Sequence, residues 1–120
     1  MPGGEQGGLM QAFDVAGILE GFDQDHVYLE PLIADSLSVG VAVWRAGTRD
    51  GQSPHQEDEV YCVISGRGHL RVGEEDRGVG PGSVVFVGAQ APHHFHDIEE
   101  DLRVVVFWVP PHRGRETPRI

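Results

Sequence analysis

The chain has no lysine; all nine basic residues are arginine. Schiff-base catalysis and a lysine-bearing phosphate loop are therefore excluded. A single cysteine, Cys62, rules out an internal disulfide and any zinc site built from several thiolates. Its apolar neighbours predict a buried, inert thiol. Positive charge is scarce: 19 acidic residues give a formal net charge of −10. That balance argues against a nucleic-acid partner, which needs clustered basic side chains, and against an anionic membrane surface. No apolar run reaches the 18 or so residues of a membrane span. The segment Met1–Gly8 lacks the basic start and apolar stretch of a secretory signal, so the cytosol is the expected location.

Glycine is what the chain has in quantity. Seventeen glycines and eight prolines divide 120 residues into short apolar runs. That length predicts one domain, over residues 13–111, between a disordered lead-in (1–12) and a poorly ordered tail (112–120). Residues 13–22 suit a short helix or a strand. Residues 27–32, broken by Pro31, and 37–44, with Leu37, Val39, Val41 and Val43 at a period of two, read as strands. Further strands are expected over 59–65, 69–72, 77–79, 83–87, 93–97 and 102–109, with glycine turns at 66–68, 73–76 and 80–82. Residues 99–101 read as a solvated acidic turn. Eight to ten short strands with little helix mean an all-β sandwich or barrel.

Two segments carry chemistry. Ser53-Pro54-His55-Gln56-Glu57-Asp58-Glu59 places an imidazole and carboxylates just before an apolar strand. Pro92-His93-His94-Phe95-His96-Asp97 brings further imidazoles back about 30 residues later. Neutral imidazole with carboxylate suits a first-row divalent metal. Glu59 is followed by six residues and then Gly66. Gly82 is followed by ten residues and then His93. In this order the segments resemble the two motifs of the cupin superfamily, over roughly residues 37–109.

The resemblance implies a cupin-type double-stranded β-helix, a jelly-roll barrel with a short N-terminal extension. It also implies that His55, Glu59 and His93 are metal ligands for Fe(II), Mn(II), Ni(II) or Zn(II). Ser53 stands where the motif has its first histidine, Gly88 at its proline, Gln90 at its second glycine and Asp97 at its asparagine. Two imidazoles and one carboxylate resemble a facial triad with open positions.

On a straight strand, residues four apart lie about 13 Å apart, so His55 and Glu59 can share an ion only if the chain bends. Glu57 is the geometric competitor, and the Gln52 amide oxygen a weaker one from the loop; Gln90 suits an outer role. Glu57, if not a ligand, is the candidate general base, although it and Asp58 also read as a charged rim. Parity sends Glu59, Tyr61 and Val63 inward and Val60, Cys62 and Ile64 outward. Tyr61 is then a candidate hydrogen-bond donor to a ligand, and Phe95 points in beside His93. His94 and His96 face the other side, and His26, His69 and His112 read as solvated.

Three functions stay open. The first is a metal-dependent enzyme, of oxygenase type, on a small organic substrate. The second is a binding or sensor module without turnover. The third is a metal-free protein of the sugar-epimerase type, whose pocket would rest on Arg45, Arg49, Arg67 and Arg71. Apolar side chains on both faces of residues 59–65 predict that a second subunit covers one side, and the resemblance to cupins implies that the assembly is a homodimer.

Overall fold

The computed structural model of the protein describes residues 9–112. Most of the expected lead-in and tail, residues 1–8 and 113–120, lies outside them. One short helix, α1 (Val15–Glu20), precedes six strands: β1 (Tyr28–Ile33), β2 (Ser38–Trp44), β3 (Asp58–Val72), β4 (Glu75–Val79), β5 (Val84–Val87) and β6 (His93–Val109). All pair antiparallel in the order β1-β2-β6-β3-β4, with β5 also on β3. The fold is the all-β barrel expected from the motifs.

The strands are fewer and longer than glycine spacing predicts. The runs 59–65 and 69–72 are one strand, and so are 93–97 and 102–109. Gly66 does not reverse the chain. It takes φ +96° inside β3, where a Cβ would sit 2.0 Å from the Asp101 carbonyl oxygen. Around it the β3–β6 register slips three times between Val63 and His69. Bulges of this kind bend and twist a strand without ending it. The acidic run 99–101 is accordingly strand, and Asp101 accepts hydrogen bonds from the Ala46 N–H at 2.7 Å and from Arg45 at 3.3 Å. A reversal does occur at Gly80-Pro81-Gly82-Ser83, closed by the Ser83 N–H donating to the Gly80 carbonyl at 2.9 Å, with Gly82 at φ +90°. Pro81 second and a positive-φ glycine third are the needs of a type II turn.

Bending lets β3 and β6 serve both halves of the barrel. The first half of β3 pairs with β5 and with the end of β6; its second half pairs with β4 and with the start of β6. His93, at the start of β6, is thereby carried back to the end of the barrel where β3 begins. Alternation along β3 holds: Glu59, Tyr61 and Val63 are buried, whereas Val60 and Cys62 are half-buried and Ile64 exposed. Cys62 is thus an outer-face residue and not the core thiol its neighbours suggested.

On β2 both faces are buried. The even positions Ala42 and Trp44 belong to the interior core with Tyr61, Leu70, Phe95, Leu102 and Trp108, while Val39, Val41 and Val43 face outward. The interior is closed by aromatic packing: Trp44 lies 4.4 Å from Phe95, and Tyr61 meets Phe95 edge-on at 5.0 Å.

Candidate metal centre

β3 begins only at Asp58, and the chain bends at Gln56 and Glu57 before it. That bend removes the 13 Å difficulty of a straight strand, folding the loop residue His55 back over Glu59. The Gln90 N–H donates to the His55 carbonyl at 2.7 Å and holds the loop in place. Gln90 does so at φ +68°, the left-handed conformation that the family's glycine would adopt without strain. Its role is carried by the backbone.

His55, Glu59 and His93 converge. One ligand atom from each lies within 4.8 Å of the others, and this is the one such group of three among the described residues. His93 and Glu59 side chains are each 1% exposed, with His93 Nε2 3.1 Å from Glu59 Oε1. This is ion-pair distance without hydrogen-bond alignment: both Glu59 oxygens and His93 Nε2 are buried without a hydrogen-bond partner.

The tautomer explains the mismatch. His93 Nδ1 lies 2.8 Å from the Ala91 carbonyl, which can only accept, so the ring proton sits on Nδ1. A neutral His93 then aims the Nε2 lone pair at a carboxylate. A backbone carbonyl behind one ring nitrogen is the usual support of a metal-ligating histidine. A proton between the two atoms would pair Nε2 with Oε1 and leave Oε2 alone, whereas a metal cation beside them would satisfy all three orphaned positions. Burial favours the neutral His93 ring, but Glu59 and the Ala91 carbonyl outweigh it and raise its pKa. For His55 burial dominates, helped by the neighbouring His93 and His112, and its pKa is lowered despite Glu59. A neutral His55 is the form that ligates.

Gln52, the loop candidate, is also brought in. Its Oε1 lies 3.1 Å from His55 Nε2 and accepts a long hydrogen bond from the Tyr61 hydroxyl at 3.4 Å. Its amide nitrogen donates to Asp50 at 2.7 Å, which fixes the oxygen toward His55. Asp50 in turn accepts the Phe95 N–H at 2.8 Å. Tyr61 is fully buried, and burial, with Glu59 next, pushes its hydroxyl pKa up, so it stays protonated.

Glu57 is neither rim nor part of the convergent group. It continues the inward parity of Glu59, is 5% exposed, and lies 3.2 Å from His112 Nδ1. His112 corrects the expectation of a solvated tail residue. It is buried, its N–H donates to Ser38 Oγ at 2.8 Å, and its ring stacks on Trp108 at 4.0 Å. His55 sits edge-on to both Trp108 (5.0 Å) and His112 (5.8 Å), so these rings form its wall. No spacing rule marks His112; the Pro110-Pro111 pair before it was the only local sign of a turn back.

The remaining histidines lie elsewhere. His94 and His96 are on the outer face as parity requires, and His26 is exposed. His69 is half-buried, stacked against His96 at 5.4 Å, and not solvated as expected.

The sequence of residues 40–110 matches the family model of the cupin domain. The chain belongs to the cupin family. An uncharacterised protein of Streptomyces coelicolor, SCO3923, is 51% identical over 87 residues, 72% of this chain and 83% of that protein. Among solved structures, BH2720 from Bacillus halodurans superposes with a TM-score of 0.75 at 16% identity, over 89% of this chain and 86% of that one. The DMSP lyase DddQ from Ruegeria pomeroyi gives a TM-score of 0.66 at 21% identity, over 81% of this cupin and 54% of the lyase. At such identities the likeness concerns the fold.

Proposed function

We propose that this cupin binds one divalent transition metal ion through His55, Glu59 and His93 and acts on a small organic substrate, with oxygenase-type chemistry the leading class. The observation that carries the reading is the trio of orphaned buried atoms, both Glu59 oxygens and His93 Nε2, with His55 beside them. When bound, Fe(II), Mn(II), Ni(II) or Zn(II) on two imidazoles and a carboxylate supplies a Lewis-acidic or oxygen-activating centre with open positions.

The other residues have tasks that follow from their contacts. Gln52, oriented by Asp50, presents a neutral oxygen beside His55. Tyr61 offers a proton donor from below. The Glu57–His112 pair is a carboxylate–imidazole unit next to His55 that can take up a proton from a substrate, the general-base role expected of Glu57.

Elemental analysis of protein purified without a chelating affinity step tests the metal. We expect near-stoichiometric metal that is lost in His55→Ala and His93→Ala. Intact protein that contains none, and takes up none of the four ions, would sink the reading. Oxygen uptake across small acids, diketones and thiols then tests the chemistry. Ser53, where the motif's first histidine would add a ligand, supports a second reading as a sensor. Binding of a small molecule without turnover is its signature. The metal-free epimerase reading loses ground, because Arg45 pairs with Asp101, and Arg71 bonds Gly73 at 3.0 Å on the outer face.

A further inference from the structure

The outer face of β4, β3 and the first part of β6 holds three of the seven histidines. His94 and His96 stand two apart on β6 and so project from one side of the sheet. His69 on β3 lies opposite His96, and Arg71 lies opposite His94, with Asp76 beyond it on β4. The ring centroids of His94 and His96 are 5.5 Å apart, and those of His69 and His96 5.4 Å. The two imidazoles of the inner triad, His55 and His93, are also 5.4 Å apart. A carboxylate accompanies each group: Asp76 Oδ2 lies 2.8 Å from His96 Nε2, as Glu59 Oε1 lies 3.1 Å from His93 Nε2. The outer row repeats, in reach of solvent, the donor types and the ring spacing of the buried centre.

We propose that this row is a second, independent metal site, in which His94, His96 and Asp76 take up a Cu(II) ion. Two imidazoles and a carboxylate, with water at the remaining positions, suit the tetragonal N,O coordination of Cu(II), which also binds tightest in the first-row series. The side chains of His96 and Asp76 are 30% and 33% exposed, so an ion reaches them without opening the barrel. An ion at His96 Nε2 takes the place of the proton shared with Asp76 and keeps the carboxylate as its partner. His69, stacked on the His96 ring at an interplanar angle of 30°, holds that ring in place. The three donor atoms do not meet within 4.8 Å as those of the inner triad do, so closing the site takes a turn of the His94 ring. That ring makes no hydrogen bond among the described residues and changes rotamer at little cost. Charge favours the ion: Asp76 and Asp97 both face His96, and the nearby Arg71 lies 3.9 Å from Asp76 and donates to the Gly73 carbonyl at 3.0 Å. An ion on this exposed row leaves on dialysis, so dialysed protein reports the inner site alone.

The test is calorimetric titration of the full, untagged chain with Cu(II), read as ions bound per chain. We expect two ions in the wild type and one in His94→Ala and in His96→Ala, whose circular dichroism spectra stay unchanged because both rings lie on the sheet surface. Asp76→Asn should weaken the outer ion by about tenfold. In His93→Ala the inner ion is lost and the outer one stays, so the two sites fail separately. A wild type that binds only the ion lost in His93→Ala, at up to about 1 mM Cu(II), overturns the proposal. A second ion that persists in both His94→Ala and His96→Ala overturns it as well, because that ion sits elsewhere. An outer ion indifferent to Asp76→Asn overturns the part given to Asp76.

Discussion

A carboxylate buried like Glu59, with no hydrogen-bond donor on either oxygen, costs several kcal/mol unless something positive joins it. Replacing it by the isosteric amide removes that cost, and the new N–H can donate to His93 Nε2. Without metal, Glu59→Gln is therefore expected to be about 1–3 kcal/mol more stable than wild type, read as a higher midpoint of thermal unfolding. It should show no further rise on adding Mn(II) or Ni(II). Should the metal-induced rise persist in Glu59→Gln and vanish in Glu57→Gln, Glu57 is the ligand.

The same atoms set a pH dependence. His93 is raised in the fold, so its contribution to the metal-free protein is complete below the unfolded value and fades as pH rises through the folded one. His55 is lowered and acts with opposite sign, weakening the fold as pH falls below its unfolded value. Metal competes with the His93 proton, so the metal-induced rise in unfolding midpoint should grow between about pH 6 and pH 8. A rise that is flat or shrinks over that range argues against His93 as a ligand. His112→Ala leaves the triad intact but removes the ring stacked on Trp108 and one wall of His55. We expect about 1–3 kcal/mol of lost stability in urea and metal binding weaker by about tenfold in titration calorimetry.

At the level of elements, the barrel depends on two strands that bend instead of ending. β3 can pass from one half of the sheet to the other because Gly66 takes a conformation hostile to side chains and lets the Asp101 carbonyl approach. Gly66→Ala should cost about 3 kcal/mol or more in urea unfolding, because a Cβ there meets backbone that cannot move without breaking the β3–β6 ladder. A loss below about 1 kcal/mol would mean the bulge is not a fixed feature. The bend at Gln56 and Glu57 matters as much, since it lets one loop residue and one strand residue face the same point.

For the whole molecule, 19 acidic against nine basic residues leave a strong self-repulsion in the compact state. Raising the salt from about 0.02 M to about 0.3 M shortens the range of that repulsion and should raise the unfolding midpoint by a few degrees. A midpoint that falls with salt would show that ion pairs such as Arg45–Asp101 outweigh the net charge. Among the described residues no helix is long and apolar enough to cross a membrane.

The sequence by itself determined the family, through the spacings Glu59 to Gly66 and Gly82 to His93. It also determined which side of β3 faces inward, because a period of two is a local property of the backbone. Strand number was misread because glycine marks bulges as readily as turns, and only cross-strand pairing tells the two apart. Tertiary structure alone decided that Glu57 turns to His112 and that residue 112 returns to wall the site. These contacts join residues up to 74 positions apart, as Ser38 and His112 are. No local pattern encodes such a meeting, since it exists only once β2, β3 and β6 have curled into one barrel.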